Sequence, residues 1–149
     1  MTQATMRYEV HAQNTGAGVS EASCKETRIT FDSGPALSPQ LAGPAELLAA
    51  AFAACVLKNV SRFAEILPFR YEHASIDVAA EREDAPPRIA RVRYVLRLVT
   101  EEPPHRLENL GKNIEKFGTI YNTLAAVCDV SGEIVAEPPS GAPHKPPQP

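Results

Sequence analysis

The chain has 149 residues, enough for one domain that buries about two-thirds of its unfolded surface and too few for two ordinary ones. Apolar residues make up 44% and charged residues 22%, which excludes a disordered body, and a net charge of −3 with both signs mixed leaves no basic footprint for nucleic acid. Three cysteines spaced far apart (Cys24, Cys55 and Cys128) are an odd number that argues against a disulfide framework, so free thiols are expected.

The first residues, Met1 to Arg7, lack the basic start and apolar core of a signal peptide. The apolar run Leu47 to Leu57 meets Lys58, Asn59 and Arg62 before it reaches the roughly 18 residues a membrane span needs. A cytoplasmic protein with no membrane segment is the expectation.

In chain order, Met6, Tyr8, Val10 and Ala12 alternate with Arg7, Glu9 and His11, the period of a half-buried strand, and Asn14 to Gly18 punctuates it as a turn. A second strand is expected from Ser20 to Phe31, closing a hairpin with the first. Pro35, Pro39 and Pro44 keep the next stretch irregular, and Pro44 suits the first turn of a helix, where its missing N–H costs nothing. That helix should run from about Pro44 to Ile66. Its alanine-rich first half is apolar on every side, so a buried central helix is expected, ended by Pro68.

Ala74, Ile76, Val78 and Ala80, then Val92, Tyr94, Leu96 and Leu98, alternate with polar residues on either side of an Asp84-Ala85-Pro86-Pro87 turn. These read as two antiparallel strands with one charged face, where acidic residues of the first sit near the arginines of the second. The arginine row fits a solvated face better than an anion site. Leu107, Leu110, Ile114 and Phe117 recur at helical spacing from Pro103 to Phe117. Gly118-Thr119 reads as a helix stop and a new N-cap, followed by a short helix carrying Ile120, Leu124 and Val127, and Asp129 to Ala136 reads as a closing strand. Residues 1–137 form the domain on this reading, and 138–149 a Pro-rich flexible tail.

The segment from Gly43 to Cys55 carries the chemistry. Its Gly-Pro-Ala-Glu-Leu start and its helix of small residues ending in Cys55 resemble the OsmC/Ohr family of osmotically induced and organic-hydroperoxide-resistance proteins, whose motif is Asn-Pro-Glu-Glu-Leu before a small-residue helix ending in cysteine. Tyr121-Asn122-Thr123-Leu124 looks like the stretch after that family's second cysteine, and the resemblance covers about residues 5 to 136. It implies an α+β protomer intertwined with a second copy as a homodimer, with antiparallel sheets around two central helices. It also implies a thiol peroxidase cycle without a bound cofactor. One cysteine attacks a hydroperoxide and becomes a sulfenic acid, a second condenses with it to a disulfide, and an external thiol or dithiol resets the pair. An arginine from the N-terminal region holds the attacking sulfur as thiolate, and a glutamate ten residues before it holds the arginine.

Carried onto this chain, Cys55 fits the attacking cysteine. The position ten residues earlier is Ala45, with Glu46 beside it; the turn Thr15 to Val19 offers no arginine; and the second cysteine's place falls at Gly118. Burial disfavours the thiolate, so a thiol without the arginine is a poor nucleophile, and without a partner its sulfenic acid cannot close the usual disulfide. The two-cysteine cycle is therefore expected to be absent. Cys128 lies ten residues beyond Gly118, on the order of 15 Å along a continuing helix, where a disulfide needs Cα atoms within about 7 Å. Neither it nor Cys24 is expected to substitute.

Bland readings stand beside these. Cys55 is equally well a small buried hydrophobe. Lys58 and Arg62 share its helix face and could supply a cation, but a helix leaving the core shows the same pattern; Arg28 could reach the site from its strand. Gly118 is most simply a helix stop. His11, His73, His105 and His144 are scattered without metal-ligand spacing, so no metal site is expected, and no nucleotide-binding or serine-hydrolase motif is present. Two functions follow. One is a divergent thiol-dependent hydroperoxide reductase relying on Cys55 alone; the other is a non-catalytic homodimer binding a small hydrophobic ligand or serving a structural role.

Overall fold

Turn chemistry sets the first part of the architecture. In a computed structural model, which describes residues 5–139, the chain forms two compact units, Met1–Leu47 and Leu48–Pro149. The first holds β1 (His11–Gly16), β2 (Val19–Cys24) and β3 (Thr27–Asp32), paired antiparallel in that order. The expected strand from Met6 is corrected: β1 begins at His11, and Met6, Tyr8 and Val10 lie exposed ahead of it. The single strand expected over Ser20 to Phe31 is corrected as well. Lys25, at φ 55°, takes the left-handed conformation that a tight reversal needs, and the stretch folds back on itself as β2 and β3.

The loop after β3 is held by Asp32, whose carboxylate accepts N–H bonds from Gly34 (2.9 Å) and Ser38 (3.0 Å). It leads into α1 (Pro44–Ile66), bounded as the prolines predict. The Gly43 carbonyl accepts the first helical bond from Leu47 (3.0 Å), and Glu46 reaches back to the Gly43 N–H (3.2 Å), half of a capping box with Pro44 in the first turn.

The second unit packs the rest of α1 with β4 (His73–Asp84), β5 (Pro87–Val99), α2 (Pro104–Phe117), α3 (Thr119–Ala125) and β6 (Asp129–Glu137). The sheet order is β4-β5-β6. β4 and β5 pair antiparallel as expected, and the ladder sets Asp77 and Glu81 on the face of Arg97 and Arg91, which they bind; Glu83 binds Arg88 likewise. β6 departs from the antiparallel reading by running parallel to β5. Two helices lie between those strands, long enough to carry the chain back to the starting edge.

The inner face of β5 (Val92, Tyr94, Leu96 and Leu98) meets Phe52, Val56 and Val60 of α1 and Leu110 and Ile114 of α2 in one core. Each fully buried side chain of this kind contributes about 1.5–3 kcal/mol. The expectation of an α1 buried all round is corrected: Phe52, Val56, Asn59, Val60 and Phe63 are buried, while Ala50, Ala51, Ala54, Lys58 and Ser61 are exposed in the protomer. By length and composition alone α1 could cross a membrane, contrary to the reading of its apolar run as too short; 28% of its most apolar stretch is buried in the protein. The Pro-rich tail lies outside the described residues beyond position 139.

Candidate functional site

Cys55 is half-buried, midway along α1, and has no disulfide partner among the described residues. Its sulfur points at the junction of α2 and α3. A Cβ built on Gly118 would stand 3.4 Å from Cys55 Sγ, so the position where the family's second cysteine was placed by sequence is brought against the first. The residue there is nonetheless a glycine, and for a reason other than the helix-stop geometry expected. Gly118 has φ −73° and ψ 115°, a conformation any residue adopts. What it lacks is room: a Cβ would come within 2.8 Å of the Ile114 carbonyl oxygen and 2.9 Å of Tyr121 Cβ. The α2 and α3 backbones turn so tightly around the sulfur that a side chain would force them apart. Thr119 makes no side-chain cap; Gly118 itself precedes the first turn of α3.

One polar group addresses the sulfur. Asn59 lies one helical turn after Cys55, is 8% exposed, and donates through Nδ2 to the Cys55 carbonyl oxygen (3.0 Å) and to Cys55 Sγ (3.7 Å). The sequence signal is an asparagine four residues, one helical turn, after a cysteine. In hydropathy it is only an interruption of the apolar run.

The wall beyond Gly118 is aromatic. Phe52, Tyr94 and Tyr121 form a triangle with ring centroids 5.5, 5.7 and 6.3 Å apart, within the range of favourable aromatic pairs. Gly132 on β6 makes the space for Tyr94, since a Cβ there would run into the ring at 2.4 Å. Burial, reinforced by Tyr121 and the charge of Glu115, holds the Tyr94 hydroxyl well above the ordinary tyrosine range. Tyr121 is raised by burial and by Glu115 while its hydrogen bond with Tyr94 acts in the opposite direction.

The remaining sequence-derived candidates fall elsewhere. Glu46 caps α1 through Gly43. Lys58 is exposed, and Arg62 lies over the Phe63 ring, 5.4 Å from its centroid. Arg28 pairs with Glu21 (2.8 Å) in the first unit. Among the described residues no ion pair or hydrogen bond joins a cation to Cys55 Sγ. Cys128 donates its S–H to the Ile89 carbonyl (3.1 Å), and Cys24 ends β2. No cluster of His, Cys, Asp or Glu able to hold a metal occurs among the described residues.

The chain is similar to known proteins in fold and in family. The model of the family described as OsmC-like protein matches residues 38–132. A comparison with curated proteins finds no match. Among solved structures, an OsmC-like protein from Mycoplasma pneumoniae superposes with a TM-score of 0.81 at 16% identity, covering 89% of this chain and 99% of that one. An organic hydroperoxide resistance protein OsmC from Legionella pneumophila superposes at 0.68 with 17% identity, over 88% and 99% of the two chains. The organic hydroperoxide resistance protein OhrB of Bacillus subtilis does so at 0.64 with 17% identity, over the same shares. At these identities the structures speak for the α+β fold alone. The family match spans more than half of the chain and includes both the helix of Cys55 and the junction at Gly118, and this chain belongs to the OsmC-like protein family.

Proposed function

We propose that this protein is a cytoplasmic, homodimeric, thiol-dependent reductase of small organic hydroperoxides that works through Cys55 alone. Residues 1–137 act as one OsmC-like domain in this reading, and residues 138–149 as a tail outside it. The observation that supports it is the placing of Cys55 Sγ at the α2–α3 junction, half-exposed, with an amide donor on one side and a glycine backbone on the other. In the reaction the Cys55 thiolate attacks the outer peroxide oxygen, an S–O bond forms as the O–O bond breaks, and the departing alkoxide takes a proton to leave as an alcohol. Sulfur is oxidised to the sulfenic acid and the peroxide is reduced. With glycine at position 118, an external thiol then displaces water from the sulfenic acid to form a mixed disulfide. A second thiol, or the other arm of a dithiol, releases Cys55 and leaves as the oxidised disulfide. No bound cofactor enters the cycle.

The dimer is supported by what the protomer leaves uncovered: the small-residue face of α1 and the exposed apolar side chains Met6, Tyr8 and Val10 beside an edge strand. Glu46, Lys58, Arg62 and Arg28 have no part in the reaction on this reading; each is occupied at a helix cap, in solvent, on a ring or in a surface pair.

A second reading, a non-catalytic homodimer that binds a small hydrophobic ligand, is favoured by one observation: the sulfur has no cation beside it among the described residues. One experiment separates the two. Reduced protein is treated with one equivalent of cumene hydroperoxide, and Cys55 is followed by mass spectrometry. Oxidation at Cys55, with peroxide consumption abolished in Cys55→Ser, supports the reductase. A Cys55 that stays a thiol under those conditions leaves the binding reading.

A further inference from the structure

We propose that Asn59 is a catalytic residue of this site: its side-chain amide is the donor that stabilises Cys55 as a thiolate. The inference deepens the reductase reading and rests on it for its biological meaning, although its test does not.

Three observations carry it. Asn59 is an amide on the core face of α1, where neighbours such as Val56, Val60 and Phe63 are apolar, and burying an amide is costly unless its hydrogens are used. The amide nitrogen of Asn59 spends itself on one residue, lying 3.0 Å from the Cys55 carbonyl oxygen and 3.7 Å from Cys55 Sγ. The bond to the carbonyl holds the amide nitrogen beside the sulfur. A donor preorganised in this way is worth more to an anion than to a neutral thiol, because hydrogen bonds to charged partners are the stronger ones.

Other groups around the sulfur offer less. On α1, Lys58 is exposed and Arg62 lies over Phe63. On α2, Lys116 lies 5.2 Å from the Phe117 ring centroid, and the negative charge of Glu115 acts on Tyr94 and Tyr121. On β5 and α3, Tyr94 and Tyr121 lie edge-on to each other, and burial raises both phenols above their ordinary range. Among the described residues only Asn59 hydrogen-bonds to Sγ.

The test is the rate at which iodoacetamide alkylates Cys55 in the full chain, followed by mass spectrometry at pH 7 and pH 9.5, with Cys128 alkylation as the internal control. Asn59→Leu keeps the bulk and removes the donor; Asn59→Asp keeps the shape and replaces the donor with a carboxylate; Asn59→Ala serves if either folds poorly. The expected order at pH 7 is wild type, then Leu and Ala slower by about two- to tenfold, the span one net hydrogen bond supplies, then Asp slowest. At pH 9.5 the differences should shrink, because more of every Cys55 is then thiolate, and Cys128 should alkylate alike in all four proteins. Leu and Ala variants as fast as wild type at pH 7, Asp faster than Leu, or a slowing shared equally by Cys128 would each overturn the proposal. No peroxide enters the assay. A Cys55 that alkylates in the expected order yet does not consume hydroperoxide would sink the reductase and leave the role of Asn59 standing.

Discussion

Cys55 and Cys128 are both half-buried, both lie in the second unit, and each makes one hydrogen bond through sulfur, but the two bonds have opposite sense. Cys128 gives its S–H to the Ile89 carbonyl at 3.1 Å. In that bond the sulfur is the donor. Cys55 accepts N–H from Asn59 and has the tightly packed, side-chain-free backbone of Gly118 on its other side. Exposure alone would rank the two alike. Bond direction separates them, and on the proposed reading that direction is what favours attack by Cys55 over Cys128.

The largest effect expected from this contrast is in turnover. Cys55→Ser should abolish consumption of an organic hydroperoxide measured with excess dithiol, while Cys128→Ser should leave the rate within about twofold. Loss of activity in the Cys128 variant instead would mean that the carbonyl-bound thiol is the one that reacts, and the contrast would be broken.

Next comes the packing that keeps Gly118 bare. Gly118→Ala places a methyl group where the Ile114 carbonyl and Tyr121 already stand, and should cost about 1–3 kcal/mol in urea denaturation. Gly118→Cys should carry a similar cost when reduced, yet on mild oxidation it should join Cys55, with a mass loss of two hydrogens and no change at Cys128. An oxidised variant that still holds a free Cys55 would show that the 3.4 Å approach does not survive insertion of a side chain.

A smaller effect reports on the dryness of the wall behind the site. The Tyr94 hydroxyl is held above its ordinary range by burial first, then by Tyr121 and Glu115. The folded state therefore keeps this proton to higher pH than the unfolded chain does, so the stability from this group is complete below the unfolded value of about 10 and is lost as pH rises beyond it. Melting temperature should fall more steeply above pH 10 in wild type than in Tyr94→Phe. Parallel curves would mean that water reaches the phenol and the region next to Gly118.

What the sequence revealed, and what it hid, follows the same division between local and through-space information. The ends of α1 were legible because Pro44 and Pro68 act on their own backbone, and the Asp77–Arg97 and Glu81–Arg91 pairs because alternation fixes which residues share a face. The turn between β2 and β3 was missed since Lys25-Glu26 contains none of the residues that usually mark one. The parallel pairing of β6 depends on how two intervening helices return the chain, which no window of residues encodes. Within the site, the motif led to Cys55 and counting led to Gly118, and the structure brings the two together. Asn59 was seen as a break in hydropathy because its meaning lies in where its amide points.

The smallest expected effect is also the sharpest check on that last point. Lys58 and Arg62 were the cations that sequence spacing put on the Cys55 face, and they remain the natural alternative to Asn59 as helpers of the sulfur. Both head groups have better options, solvent for one and the Phe63 ring for the other. A charge in water acts through a high dielectric and is screened within about 8 Å at physiological salt. Lys58→Gln and Arg62→Gln should therefore change Cys55 alkylation at pH 7 by less than about twofold in low salt, and the residual difference should vanish as salt is raised. A drop as large as that of Asn59→Leu, persisting in high salt, would place a cation in contact with the sulfur in the working protein. The contrast between the two thiols would then rest on charge, as in the family's usual arrangement, with the direction of a hydrogen bond secondary.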